Sequence, residues 1–432
     1  MNNQRKLYKN YEKILAKELV PAMGCTEPIA LAYCAAVARK ELGVLPKKVT
    51  VEASGNIIKN VKSVIVPNTD GARGIEAAAA IGIVAGREDL ALEVLSKVTE
   101  EQKEKFRQYL TDTDFQVRQA QGGPTLDMTV TVWDEANEVS VRIAGKHTNI
   151  VMIKKNGRIL LEHPICLDGE YTAAPCPEDD LYASLNIEDI CRFAAETDLE
   201  AAAPVLEQQI RYNSAISEEG LKHSYGANIG TVILKCSGHD VRSRAKAAAA
   251  AGSDARMNGC ELPVVINSGS GNQGLTVSMP VIEYAKEIGA DRDALYRALI
   301  VSNLTAIHLK SGIGELSAYC GAVSAGAAAG AGIAWLKGGD FKTIAHTIVN
   351  ALAITSGIIC DGAKASCAAK IAMSVEAGIL GYEMYMNGQQ FYAGEGVVSK
   401  GVENTIRNIC MLGRDGMKET DREILHIMTC VD

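Results

Sequence analysis

LSAYCGAVSAGAAAGAGIAWL, residues 316–336, carries no charge and is long enough to cross a bilayer, so its reading decides the fold. Most of it is alanine and glycine, which contribute little insertion energy beside leucine, isoleucine or phenylalanine. Small residues instead let helix backbones approach closely. The stretch therefore reads as a buried central helix of a protein that does not enter the membrane. The composition agrees. A net charge of -8 and only 5% aromatic residues argue against nucleic acid, which needs basic patches and stacking platforms. The opening MNNQRKLYKNYEKILAKELV is a charged amphipathic helix pattern rather than a secretory signal. The twelve cysteines are scattered rather than densely spaced, so a reducing cytoplasmic setting is expected.

Around the 316–336 stretch, from about residue 164 onward, nearly every segment reads as helix rich in small residues. Only TVILKCS (231–237) and LPVVINS (262–268) look like short strand pieces. The first part of the chain differs. Helical patterns cover 5–19 and 28–42, and strand-like runs follow at 48–55, 61–67, 126–134, 138–145 and 149–162, with a hairpin signal at Asn156-Gly157. GARGIEAAAAIGIVAG and EVLSKVTEEQKEKFRQYL, which fall between those runs, read as helices. The expectation is an α+β protein in two domains. Residues 1–165 form a mixed α/β domain whose antiparallel or mixed sheet carries helices on one face. Residues 166–432 form a mainly helical domain, entered through the turn-rich HPICLDGEYTAAPCPEDD.

Cysteines at several points could carry chemistry. Cys320 lies in the central stretch, and Cys360 and Cys367 follow in SGIICDGAKASC. On one uninterrupted helix, residues seven apart stand about 10 Å apart along the axis, too far for the roughly 4 Å sulfur separation of a single zinc. The Asp361-Gly362 step offers a break, with Cys360 ending one helix and Cys367 starting the next. A larger inorganic core bridges such a gap more easily, although a pair of core cysteines has the same spacing. INSGSGNQGLTVSMPV (266–281) is a Gly/Ser/Asn loop whose backbone N–H groups and hydroxyls suit a small anion such as a carboxylate. Its candidate contacts are Ser268, Gly269, Ser270, Gly271 and Asn272. His308 is a further candidate, although a lone histidine in a helical stretch is ordinarily structural, and the neighbouring Lys310 ordinarily a solvated surface charge. In PAMGCTEPIALAYC, Thr26 reads as an N-cap and Pro28 belongs in a first turn. Cys25 is then either a small buried residue or a thiolate favoured by the helix dipole. Cys34, Cys166, Cys176, Cys191, Cys236, Cys260 and Cys410 have no partner pattern and read as structural.

The set MGCTEP, SGSGNQG, Cys320 and CDGAKASC, in that order along the whole chain, resembles the L-cysteine desulfidases, relatives of the iron–sulfur L-serine dehydratases. The resemblance implies an oxygen-sensitive [4Fe-4S] cluster held by Cys320, Cys360 and Cys367, with Cys25 as the reactive N-terminal cysteine. The implied reaction is β-elimination of L-cysteine to sulfide, ammonia and pyruvate without pyridoxal phosphate. In that setting Cys25 is either the base that takes the α-proton or the resting ligand of the fourth iron. The six residues between Cys360 and Cys367 are fewer than the serine dehydratase branch usually shows. Against that, the chain ends IMTCVD, and a cysteine tail caps the open iron in some serine dehydratases, which makes Cys430 a rival ligand.

Three functions remain open on this reading. They are cysteine or serine elimination at a cluster, a pyridoxal phosphate enzyme suggested by the SGN of the loop, and a non-catalytic redox or amino-acid sensor. The pyridoxal phosphate reading lacks a well-set lysine upstream of the loop. The expected ligand is a small amino acid, and the Ala/Gly-rich helix surfaces are compatible with a homodimer.

Overall fold

The structure is a computed structural model that describes residues 2–165 and 179–430. The fold is α+β, with a six-stranded mixed sheet early in the chain and helices through the rest. In spatial order the strands are Asp114–Gln119, Lys48–Ala53, Asp127–Trp133, Glu138–Ala144, Ile150–Lys155 and Arg158–Glu162. Only the first pair is parallel, because the helices between 55 and 112 carry the chain back across the sheet. The other pairs are antiparallel. The last is a hairpin turning at Asn156 and Gly157, both at positive φ, as a two-residue turn between twisted strands requires.

Helix Thr26–Leu42 is buried along most of its length and packs on strands Asp127–Trp133 and Glu138–Ala144. Helix Gly74–Ala85 crosses it closely, since a Cβ on Gly82 would stand 2.3 Å from the Ala32 carbonyl oxygen. The same device recurs in the helical half. Gly321–Leu336, the heart of the 316–336 stretch, packs against Cys367–Met386 with Gly330 and Gly378 backbone to backbone. Among the described residues no helix is long and apolar enough to cross a membrane.

The chain ends cross over. Helix Asn2–Glu18 docks on helical-half residues, with the Tyr11 hydroxyl donating to the Ser184 carbonyl and the Tyr11 ring edge-on to Phe193. Helix Lys418–Cys430 packs instead on Gly55–Val61.

Three local expectations need correction. The 61–67 run is not a strand. Ser54 caps helix Gly55–Val61, and the rest is irregular chain with one bridge from Ile65 to Arg73. Val64 and Val66 alternate inward because that segment is buried, without joining the sheet. TVILKCS lies in helix Ile229–Ser237, whose first turn donates to the buried Asp254 carboxylate. Strand Asp114–Gln119 escapes notice because it is a largely exposed, polar edge strand. The linker centre, with Cys166 and Cys176, lies outside the described residues.

Candidate active site

Two short strands bring the cysteine motif and the glycine loop together. Pro21–Met23 pairs antiparallel with Pro263–Val265, so the chain leaves one strand into Cys25 and the other into Asn267. Gly24 sits at φ 63, and a side chain there would strike Pro67. Asn267 and Ser270 exchange backbone hydrogen bonds of 3.1 and 3.0 Å around Ser268 and Gly269, both at positive φ. Ser270 then caps helix Gly271–Ile288 by accepting from the Gln273 N–H. The result is a tight turn opening directly into a helix N-terminus, a backbone form suited to an anion.

The cysteines arrive from segment ends. Cys320 is the N-cap of Gly321–Leu336, and Cys367 opens Cys367–Met386. Helix Phe341–Thr355 stops short of Cys360, so Cys360 sits in the connecting loop rather than at a helix end. That loop is held tightly. The Cys360 N–H donates to the Ala318 carbonyl at 2.6 Å. Lys370 donates to the Ile359 carbonyl and pairs with Asp361, which also pairs with Lys364. Lys59, 2% exposed, donates to the Cys360 carbonyl at 3.2 Å and pairs with Asp421 of the C-terminal helix. Gly362 stands at φ +96, where a Cβ would lie 2.5 Å from the Lys59 carbonyl oxygen. The Cys320 and Cys360 thiols are within hydrogen-bonding reach of each other, and Cys367 is close enough to act on both electrostatically. The bond from Cys320, with the Lys59 ammonium and the Gly362 N–H, lowers Cys360 to about 6 against the opposing effect of burial. Cys367 also packs against Cys25, Val64 and Met257.

Cys25 itself, rather than Thr26, is the N-cap of its helix, and its side chain makes no capping bond. Its Sγ donates instead to Glu27 Oε2 at 3.0 Å. Burial pushes the thiol well above its usual range, and the Glu27 charge adds to this, so of the two readings the sequence left open, the dipole-favoured thiolate is not its ground state. Glu27 is fully engaged, accepting also from Thr26 Oγ1 at 3.1 Å and from Asn60 Nδ2 at 2.9 Å. Burial works to raise its carboxyl. The His147 ring, the Cys25 bond, its own backbone N–H and Arg256 together hold it below the usual range.

Around this pair lies a charged interior that the sequence reading did not assemble. Burial pushes down both His147 and Lys310. Lys310 is buried, not solvated, and donates to the Glu315 carbonyl at 2.8 Å, with Cys320, Cys360 and Glu27 among its charged neighbours. His147 lies under the turn, where a Cβ on Gly269 would stand 2.9 Å from its Cε1. Arg256 reaches in from the end of helix Val241–Met257 and donates to Asn272 Oδ1 at 3.2 Å. Several buried polar atoms here have no partner among the described residues: His147 Nε2, Arg256 Nε and Nη2, and Gln273 Oε1. Such atoms are costly to leave unmatched, so their grouping marks a place built for something polar.

The structure thus gathers Cys25, Cys320, Cys360, Cys367 and the Ser268–Asn272 loop. His308 is not gathered with them, since its Nε2 lies 2.7 Å from Glu403 Oε2 on the outer side of helix Arg292–Ile313. The side chain of Cys430 lies outside the described residues. Glu27 stood in the MGCTEP motif but looked like any acidic first-turn residue, whereas His147, Arg256 and Lys59 carry no local signal at all. Among the described residues, no three or more His, Cys, Asp or Glu side chains are grouped to hold a metal ion. Three thiols, two from helix starts and one from a connecting loop, with lysines nearby, fit by their chemistry the donor set of a larger, soft iron–sulfur core.

Comparison with known proteins identifies the family. The family profile of the serine dehydratase alpha chain matches residues 89–426. A UPF0597 protein of Desulfitobacterium hafniense is 56% identical over 99% of this chain and 98% of its own length. UPF0597 proteins of Finegoldia magna and Lachnoclostridium phytofermentans are 50% and 48% identical, covering 97% and 98% of this chain and 99% and 100% of their own. The chain belongs to the serine dehydratase alpha-chain family.

Proposed function

We propose that the protein is a lyase, independent of pyridoxal phosphate, that converts L-cysteine and water to hydrogen sulfide, ammonia and pyruvate. The observation that carries this reading is the packing of Cys25 with Cys367, itself close to Cys360 and Cys320, beside buried polar groups that lack partners among the described residues. Cys320, Cys360 and Cys367 would hold a [4Fe-4S] cluster, which when bound supplies a soft Lewis acid for the leaving sulfur.

The remaining work falls to the chain's own residues. The Ser268–Gly269–Ser270 turn and the helix start at Gly271 and Asn272 receive the substrate carboxylate and aim Cα–H at Cys25. Glu27 Oε2 takes the Cys25 proton only transiently, because burial holds that proton on sulfur and the partners of Glu27 hold its carboxyl low, so the thiolate forms as a minor, strongly basic species. Burial raises that thiolate's basicity and so its strength toward the α-proton. The proton moves from Cα to Cys25 Sγ, its electron pair forms the Cα–Cβ double bond, and hydrosulfide departs from Cβ. The released aminoacrylate tautomerises to an imine, and water converts it to pyruvate and ammonia. In the alternative role, Cys25 is the resting fourth ligand that substrate displaces.

The family profile favours a second reading in which the leaving group is the hydroxyl of L-serine. Sulfide release from L-cysteine and pyruvate release from L-serine, assayed on anaerobically prepared protein, decide between the two. Faster sulfide release supports the first and exclusive serine turnover the second. Turnover of neither removes both and leaves the sensor.

A further inference from the structure

Arg256 is 1% exposed, yet only one hydrogen bond of its guanidinium is accounted for, Nη1 to Asn272 Oδ1. The two nitrogens without partners among the described residues are Nε and Nη2. These are the pair whose N–H bonds run parallel along one edge of the guanidinium, the edge that grips both oxygens of a carboxylate. A buried cation with that edge unmatched is a strong structural anomaly. Asn272 Oδ1 holds the guanidinium from the other side, at Nη1. Gly271 has no side chain, and a Cβ there would lie 2.3 Å from Nε and 2.7 Å from Cζ, so glycine keeps the guanidinium in place. Glu27 and Cys25 are close enough to act on Arg256 electrostatically, but Glu27 gives both oxygens to other donors.

We propose that the Nε/Nη2 edge of Arg256 is the carboxylate anchor of the site, binding an α-amino acid by two parallel hydrogen bonds while the 268–272 turn closes over it. The inference deepens the function proposed above and rests on it for the amino-acid identity of the ligand. Anchoring at Arg256 places the bound Cα within the group formed by Cys25, Glu27 and the turn. Selection against ligands without a carboxylate follows, because their binding leaves a buried cation unpaired.

The test is calorimetric titration of the anaerobic holoprotein with L-cysteine, L-serine and glycine, and with cysteamine and ethanolamine, which lack the carboxylate. Wild-type protein is expected to bind the amino acids and not the amines. Arg256→Gln should weaken amino-acid binding at least about 30-fold while leaving the visible absorbance and iron content of the cluster unchanged. Arg256→Lys keeps the charge without the two-donor edge, and Gly271→Ala displaces the guanidinium. Both should weaken binding, and either carries the test if Arg256→Gln does not fold. Amino-acid binding to Arg256→Gln within threefold of wild type, or equal binding of amines and amino acids by wild type, overturns the anchor. Arg256-dependent binding with neither sulfide nor pyruvate formed overturns the proposed reaction and leaves the anchor standing.

Discussion

The Cys25 thiol lies 3.0 Å from the carboxylate of Glu27, two residues further along the chain and in the first turn of the helix that Cys25 caps. A thiol at a helix N-terminus would ordinarily lose its proton easily. Here it is buried beside an ionised carboxylate, and the proton stays on sulfur with an acceptor already in place. If the pair handles the proton of the proposed reaction, both residues are needed for turnover.

Cys25→Ala should abolish sulfide production, and Glu27→Gln should lower kcat by about 10²–10⁴-fold. The amide can still bond with Asn60 and Thr26, so the melting temperature of Glu27→Gln should stay close to wild type. Full sulfide production by Cys25→Ala would remove that residue from the reaction.

Replacing Cys320, Cys360 or Cys367 singly by alanine should reduce bound iron and acid-labile sulfide below one cluster per chain in anaerobic preparations. The same substitution at Cys34 or Cys410, whose thiols donate to the carbonyls of Val141 and Leu309, should leave cluster content intact. A complete cluster in Cys360→Ala would sink the proposed ligand set.

Lys59 joins the C-terminal helix to the loop that carries Cys360. Asp421→Asn leaves a buried ammonium without its counter-charge and should destabilise the protein by about 1–3 kcal/mol. Hydrogen exchange should quicken in two places, at Lys418–Cys430 and around Cys360. Faster exchange at the helix alone would mean that the lysine does not couple them.

Gly330 and Gly378 bring their two helices into backbone contact, and a Cβ on Gly378 would lie 2.2 Å from the Gly326 carbonyl oxygen. Gly378→Leu should therefore cost at least about 1–3 kcal/mol in denaturant unfolding. Because Cys320 and Cys367 open these helices, cluster occupancy should fall with it.

Asp254 is fully buried, and burial raises its carboxyl to about 6, while the N–H groups of Gly230 and Ile229 oppose that shift. A folded-state value above the unfolded one means that the native state holds the extra proton. Stability from this group is therefore greatest at low pH and declines between about pH 4 and 6. Asp254→Asn should gain melting temperature relative to wild type as pH rises through that window. A pH-independent difference would show that Asp254 does not titrate there.

The buried central helix was legible because its small residues form a continuous uncharged run, and the antiparallel strands were legible from their alternation. The sheet edge at 114–119 was not, since an exposed polar strand has no apolar face to betray it. The 61–67 run misled for the opposite reason, because its valines are buried in a loop.

By itself, the sequence determined the α+β class, the helix that begins at the MGCTEP motif, and the break at Asp361-Gly362 between Cys360 and Cys367. Those are local properties, written in periodicity, turn residues and small-residue runs. Cys320, by contrast, read inside the 316–336 helix, proved to be its N-cap. Tertiary structure decided the rest. Pairing of Pro21–Met23 with Pro263–Val265 set Cys25 beside the glycine loop, and the crossing of the terminal helices brought Asp421 to Lys59. It also turned Lys310 inward, turned His308 to Glu403 and left one edge of Arg256 without a partner among the described residues. Whether a charged side chain is solvated, paired or waiting for a ligand depends on what packs around it. No spacing along the chain encodes that.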